Sequence, residues 1–187
     1  MRGFLESNAV KLRAPEPADI DLLYSWENNM EIWKMSNTVT PFSKYVLKKY
    51  LETSHLDIWE SKQLRLVIEA KTQSSLMHIP VGLIDLFDFD PFHLRAGVGV
   101  LIASKQHRHK GYATEALKLL VRYAFETLQL HQLYCNIAES NRISMQLFEN
   151  AGFKVVGVKR EWLKVVDGWA NEVMLQQINP LHNINNS

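Results

Sequence analysis

The chain has one cysteine, Cys135, among its 187 residues. No intramolecular disulfide can form, and a reducing compartment is expected, with the cytoplasm as the default. It also lacks an excess of either charge: 21 Lys and Arg stand against 20 Asp and Glu, for a net charge of +1. Broad nucleic-acid binding needs a basic excess on one face, so no nucleic-acid partner is expected. No apolar run approaches the roughly 18 residues of a membrane span, so no membrane partner is expected either. The opening residues Met1-Arg2-Gly3-Phe4-Leu5-Glu6 lack the apolar stretch of a secretory signal. The Gly-x-Gly-x-x-Gly fingerprint of dinucleotide sites is missing, and so is a Walker-type Gly-Lys-Ser/Thr ending. The seven histidines show no metal-ligand spacing; His107 and His109 alone do not make a zinc set, and no metal is expected.

What is present is an ordinary globular composition, 47% hydrophobic and 22% charged. Its length fits one domain with a sizeable core, expected over residues 8–179 and followed by a loose polar tail at 180–187. Val10–Arg13 alternates apolar and basic residues and reads as a strand. Pro15 and Pro17 end it, and Asp19 is placed to cap a helix running to about Trp26. Residues 42–54 carry a helical pattern with Ser43 as N-cap. Strand patterns follow at 64–70, 80–89 and 94–103, the last two joined at Asp90-Pro91. Ala113, Ala116, Leu117, Leu120, Val121, Ala124, Phe125 and Leu128 make a helical stripe over four turns. Gln132–Ala138 is strand-like. Ile143, Leu147 and Ala151 mark a short helix stopped by Gly152. Residues 153–166 and 170–178 read as a hairpin around Asp167-Gly168. The order is that of a mixed α/β protein with a largely antiparallel sheet.

One stretch carries chemistry. Arg108-His109-Lys110-Gly111-Tyr112-Ala113 lies between a strand and a helix. Glycine lets the backbone approach a ligand closely. The first turn of the following helix offers unpaired N–H donors and the positive end of the helix dipole, which suits a pyrophosphate. Arg108, Lys110 and the amides from His109 to Thr114 are the expected contacts. A solvated basic turn is the plainer alternative.

This turn resembles motif A of the GNAT superfamily of acetyl-CoA-dependent N-acetyltransferases, Arg/Gln-x-x-Gly-x-Gly/Ala, through Arg108, Gly111 and Ala113. A second block, from Asn136 through Asn141 and Ser144 to Gly152-Phe153, resembles the family's later segment. The likeness runs over roughly residues 10–178 and is closest to the branch of spermidine and ribosomal-protein N-terminal acetyltransferases. It implies a single-domain α/β fold with a mixed, largely antiparallel sheet flanked by helices. It also implies a splayed strand pair that binds acetyl-CoA. On that reading the backbone of Leu101, Ile102 and Ala103 pairs with the pantetheine arm. Arg108, His109, Lys110, Gly111, Tyr112, Ala113 and Thr114 hold the pyrophosphate, and Asn136, Asn141 and Ser144 complete the acetyl-CoA site. Asn141 is equally suited to cap the helix that starts at Arg142. Gly97 and Gly99, unusual inside a strand, suggest a bulge or a close backbone approach.

Acetyl transfer needs a base for the attacking amine and a proton for the departing thiolate. In many relatives a Tyr just before Gly-Phe supplies that proton; here Leu147-Phe148-Glu149 has no hydroxyl, and Ser144 or Tyr134 would have to replace it. In the spermidine-acetylating relatives a Glu acts from the strand before motif A, and counting back from Gly111 places Val98 there. Asp85 is the preferred alternative base, with Glu69, Asp88, Asp90 or a water chain as others. Cys135, in an apolar strand, is read as structural and not as a nucleophile. For the acceptor, Glu27 and Glu31, expected at i and i+4 on one helical face beside Trp26 and Trp33, suit a polyamine or other cationic amine. A protein N-terminal amine or an aminoglycoside stays open. So does a domain that binds acetyl-CoA with little turnover, and a homodimer is expected because many relatives associate.

Overall fold

The computed structural model describes residues 5–36, 38–53, 56–71 and 78–181. The end of the expected helix at Ser54 and most of the expected tail, residues 182–187, lie outside them. Seven strands form one sheet in the order β1-β2-β3-β4-β5-β7-β6. They are β1 (Val10–Arg13), β2 (Leu64–Lys71), β3 (His78–Asp90), β4 (Arg95–Ile102), β5 (Gln132–Ala138), β6 (Lys154–Val165) and β7 (Gly168–Ile178). Every neighbouring pair is antiparallel except β4 and β5. The mixed, largely antiparallel sheet is as expected.

Helices cover both faces. On one lie α5 (Tyr112–Glu126) and α6 (Arg142–Asn150). α5 buries Ala116, Leu117, Leu119, Leu120, Ala124 and Phe125 against Val10, Ile68, Ile84, Ala96, Val98 and Leu133 of the sheet. Each fully buried Leu or Phe there stabilises the fold by about 1.5–3 kcal/mol. The other face carries α1 (Ile20–Glu27) and α3 (Lys44–Glu52), where Leu23, Leu47 and Leu51 meet Val67 of β2 and Leu83 of β3. Ser43 caps α3, its side chain accepting from the Val46 amide at 3.2 Å.

Three local expectations are corrected. Asp19 does not cap α1: its carboxylate is turned onto Arg13 at 2.7 and 2.9 Å and onto the Glu16 amide at 2.7 Å. Salt-bridging to a strand arginine outcompetes the cap. Second, the first helix ends where expected, near Trp26, but Glu27 and Glu31 do not share a helix. α1 stops at Glu27, and α2 (Met30–Ser36) starts anew. The Asn28 side chain clasps the Phe42 backbone in both directions, donating to its carbonyl and accepting from its amide, each at 2.9 Å. That clasp separates the two helices. A short helix, α4 (Ile58–Ser61), capped by Asp57, was too brief to show a periodicity.

Third, of the two readings of Gly97 and Gly99, a bulge or a close approach, the bulge is the one that fails. They pair in register with Phe87 and Asp85. Gly97 is needed because a Cβ there would lie 2.3 Å from the Phe87 ring. The irregularity falls instead between Phe87 and Asp90 of β3, where Asp88 adopts φ +48°.

Candidate active site

The parallel pairing of β4 and β5 is brief. Arg95, Ala96 and Gly97 face Gln132, Leu133 and Tyr134, and then the strands part. β4 continues to Ile102 and β5 to Ala138 without further pairing between them. The result is a wedge whose β4 wall, residues 98–102, has a backbone edge open to an added strand. β4 ends in a short turn, Lys105–His107, which leads to α5. Between that turn and α5 stand two left-handed residues, His109 at φ +59° and Gly111 at φ +80°, and Gly111 is the N-cap of α5. Nothing lies within 4 Å of where a Gly111 Cβ would stand. The first-turn amides of a helix have no intrahelical acceptor and carry the positive end of the dipole. Wedge and helix start are therefore continuous: a strand edge for an extended chain, then a cradle for an anion.

Arg108 is directed partly elsewhere. Its Nε donates to the Ile102 carbonyl at 3.1 Å and so braces the turn against the end of β4. Across the wedge, the Asn141 side chain accepts from the Ser144 amide at 3.2 Å and caps α6. Asn136, on β5, accepts from Lys159 Nζ at 3.0 Å. Phe148, where the resembling family has its acid, is only 3% exposed and packs edge-on to Phe153, with ring centres 5.0 Å apart. It is a core side chain.

The face opposite α5 holds the ionisable groups. Leu83, Asp85 and Phe87 of β3 stand beside Leu101, Gly99 and Gly97 of β4, their partners in register. Asp85 accepts from Arg65 Nε at 2.8 Å and from its Nη2 at 3.3 Å, and Arg65 Nη1 reaches Glu27 at 2.7 Å. One guanidinium thus bridges α1, β2 and β3, with the Tyr50 ring 5.5 Å from it. Burial disfavours the Arg65 charge, but Asp85 and Glu27 outweigh that and its pKa is raised. Arg65 escaped the sequence reading because its two partners lie 20 and 38 residues away.

The paired-acid expectation is corrected in its geometry. Glu27 ends α1 and turns inward to Arg65, whereas Glu31 belongs to α2 and pairs with Lys105 at 2.6 Å on the exposed surface. The two do not form one i, i+4 face. The Trp33 indole donates to the Glu27 carbonyl and ties α2 to the end of α1. Among the other proposed bases, Glu69 is held by Arg13 at 2.7 Å, and Asp90 accepts from the amides of Phe92 and His93. Tyr134 sits at the apex of the wedge. Burial and the neighbouring Asp88 carboxylate raise its pKa. Cys135 is buried, which pushes its thiol up to about 12, so it carries no thiolate at neutral pH. Among the described residues no group of three or more His, Cys, Asp or Glu is placed to hold a metal, and no helix is long and apolar enough to cross a membrane.

A family model described as an acetyltransferase (GNAT) domain matches residues 9–154, more than half of the chain. The chain belongs to the GNAT acetyltransferases. As a GNAT protein it is an acetyl-CoA-dependent N-acetyltransferase. The open β4 edge and the amide cradle at α5 fit acetyl-CoA as co-substrate, the first matching an extended pantetheine arm and the second a pyrophosphate. This GNAT chain is 28% identical over 151 residues to a spermidine N(1)-acetyltransferase of Escherichia coli, covering 81% of this chain and 76% of that one. It is 36% identical over 84 residues, 45% of each chain, to a putative ribosomal N-acetyltransferase of Bacillus subtilis. Its fold superposes on the crystal structure of a spermidine N-acetyltransferase from Vibrio cholerae in complex with CoA and spermine. There the TM-score is 0.81 at 22% identity, over 92% of this chain and 97% of the other. A dodecameric structure of the Vibrio cholerae enzyme is also similar, with a TM-score of 0.75.

Proposed function

We propose that this GNAT chain moves the acetyl group of acetyl-CoA to a primary amine of a small polyamine, of which spermidine is the model, by direct attack in a ternary complex. The observation that carries the reading is the wedge between β4 and β5 opening beside two carboxylates, Asp85 and Glu27, that share one arginine. Two carboxylates against one guanidinium leave a net negative charge on that wall, which favours a cationic acceptor. Acetyl-CoA supplies the activated acetyl group. The backbone of Leu101, Ile102 and Ala103 aligns its arm, and the amides from His109 to Thr114 hold its pyrophosphate, with Asn136, Asn141 and Ser144 on the opposite wall. Asp85 accepts the amine proton. Arg65 fixes its orientation, and a carboxylate's four lone-pair sites leave room for a further donor. Ser144 is the hydroxyl offered to the thiolate in place of the missing Tyr. Glu27 attracts the acceptor, and Trp33 braces the segment that carries Glu31 at the rim. Self-association is part of the reading, in keeping with the dodecameric relative.

Thiol release from acetyl-CoA tests this. The panel is spermidine, short peptides with free N-termini, and aminoglycosides. Release with spermidine at least about tenfold faster than with the others is expected, a preference of about 1.4 kcal/mol in the barrier. Release only with peptides would replace the polyamine by a protein N-terminus, the acceptor class suggested by the putative ribosomal relative. Tight acetyl-CoA binding with no release from any amine would leave the polyamine reading without support.

A further inference from the structure

On the wall formed by β5, β7 and β6, the chain fills an ammonium site with its own lysine. Lys159 Nζ donates to Glu172 Oε2 at 2.8 Å and to Asn136 Oδ1 at 3.0 Å, and it lies 5.1 Å from the centre of the Trp162 ring. Glu172 is only 6% exposed. A carboxylate, an amide oxygen and an aromatic face are together the set that recognises an alkylammonium ion.

The strand is shaped to make this cage. Residues three apart on a regular strand point to opposite faces, so Trp162 would turn away from Lys159. Here β6 advances four residues, from Lys159 to Leu163, while β7 advances two, from Glu172 to Ala170. Glu161 takes up the excess at φ +48°. Its amide donates to Asn171 Oδ1 at 3.0 Å, and Asn171 in turn donates to Glu139 at 2.9 Å, so the bulge is pinned. Bulges near active sites re-aim side chains, and this one returns an indole to the lysine. The cage also adjoins the wedge. Asn136 lies two residues beyond Tyr134, the last β5 residue paired with β4.

We propose that Glu172, Asn136 and Trp162 form a binding site for one ammonium group of the amine substrate, and that Lys159 is an internal stand-in the substrate displaces. This rests on the polyamine reading and adds a subsite to it. The exchange is near balance because one alkylammonium replaces another, and the buried Glu172 stays compensated in both states. A neutral ligand could not make the trade, since it would leave that carboxylate buried and unpaired. Lys159, on a flexible four-carbon stem and with a third of its side chain exposed, can swing out to solvent.

Lysine labelling of the full chain by a succinimidyl ester, read by peptide mass spectrometry without acetyl-CoA, tests the exchange. Spermidine is expected to raise Lys159 labelling about threefold relative to Lys118, which lies on α5 on the far side of the sheet. Unchanged or reduced relative labelling overturns the proposal. Titration of spermidine into the Lys159→Met variant gives a second reading. Affinity about threefold tighter than wild type is expected once the competitor is gone, with the gain lost when Glu172→Gln is added. Equal or weaker binding in folded Lys159→Met overturns it too. Thiol release keeps the two proposals apart. Acetylation of spermidine without any Lys159 response sinks the cage alone; a Lys159 response without transfer to any polyamine sinks the substrate reading alone.

Discussion

Gly111→Val is expected to lower acetyl-CoA affinity at least about 100-fold while leaving the fold in place. The residue sits at φ +80° with nothing within 4 Å of a Cβ. The protein itself therefore has room for the side chain, and what it lacks is a comfortable conformation. An L-residue in that region costs about 1–2 kcal/mol, more when β-branched. The chain can relieve that strain by rotating the turn, which takes the amides of Gly111 and its neighbours out of line with a pyrophosphate. A hydrogen bond to a charged group contributes about 1.5–3 kcal/mol. Two such bonds amount to a hundredfold or more in affinity, at 1.4 kcal/mol per tenfold. Isothermal titration against a folded variant reads the loss. Unchanged affinity would remove the cradle from the acetyl-CoA site.

Removing the Arg65 guanidinium is expected to be the most destabilising single change near the wedge. In Arg65→Met, Glu27 and Asp85, whose side chains are 15% and 18% exposed, lose the cation they share. Leaving a buried charge unpaired costs about 3–5 kcal/mol. For a chain of this size that lowers the melting temperature by roughly 10 °C. Arg65→Lys keeps the charge but loses the planar fork that holds both oxygens of Asp85, so an intermediate loss is expected. Thermal unfolding of the two variants checks the order. An Arg65→Met protein as stable as wild type would mean the ion pairs do not hold α1 to the sheet, and the acceptor wall would need another support.

Local patterns were readable wherever one element carries its own signal. The α5 stripe, the alternation in β1 and the Gly111 turn before α5 are such cases, because helix period, strand period and a glycine at a strand-to-helix junction are written in neighbouring residues. The end of the first helix near Trp26 was readable, but the placement of Glu31 on a second helix was not: the clasp on Asn28 between the two comes from Phe42, fourteen residues on. The same limit hid the Glu27–Arg65–Asp85 bridge and the Lys159–Glu172 pair. Their partners meet through strand register, and in β6 that register is displaced by a bulge no local pattern announces. The order of elements was therefore legible from short-range periodicity, and the fold they build from the resemblance carried by the two motifs. The wall facing the acceptor depends on long-range pairing and was not.

Backbone deuterium exchange with and without acetyl-CoA tests most directly whether the wedge and the start of α5 form the acetyl-CoA site. Slowed exchange confined to residues 98–103 and 109–114 is the predicted result. Unchanged exchange there, with protection appearing instead around the hollow between Lys118, Arg122 and Asn179 on the outer side of α5, would contradict it.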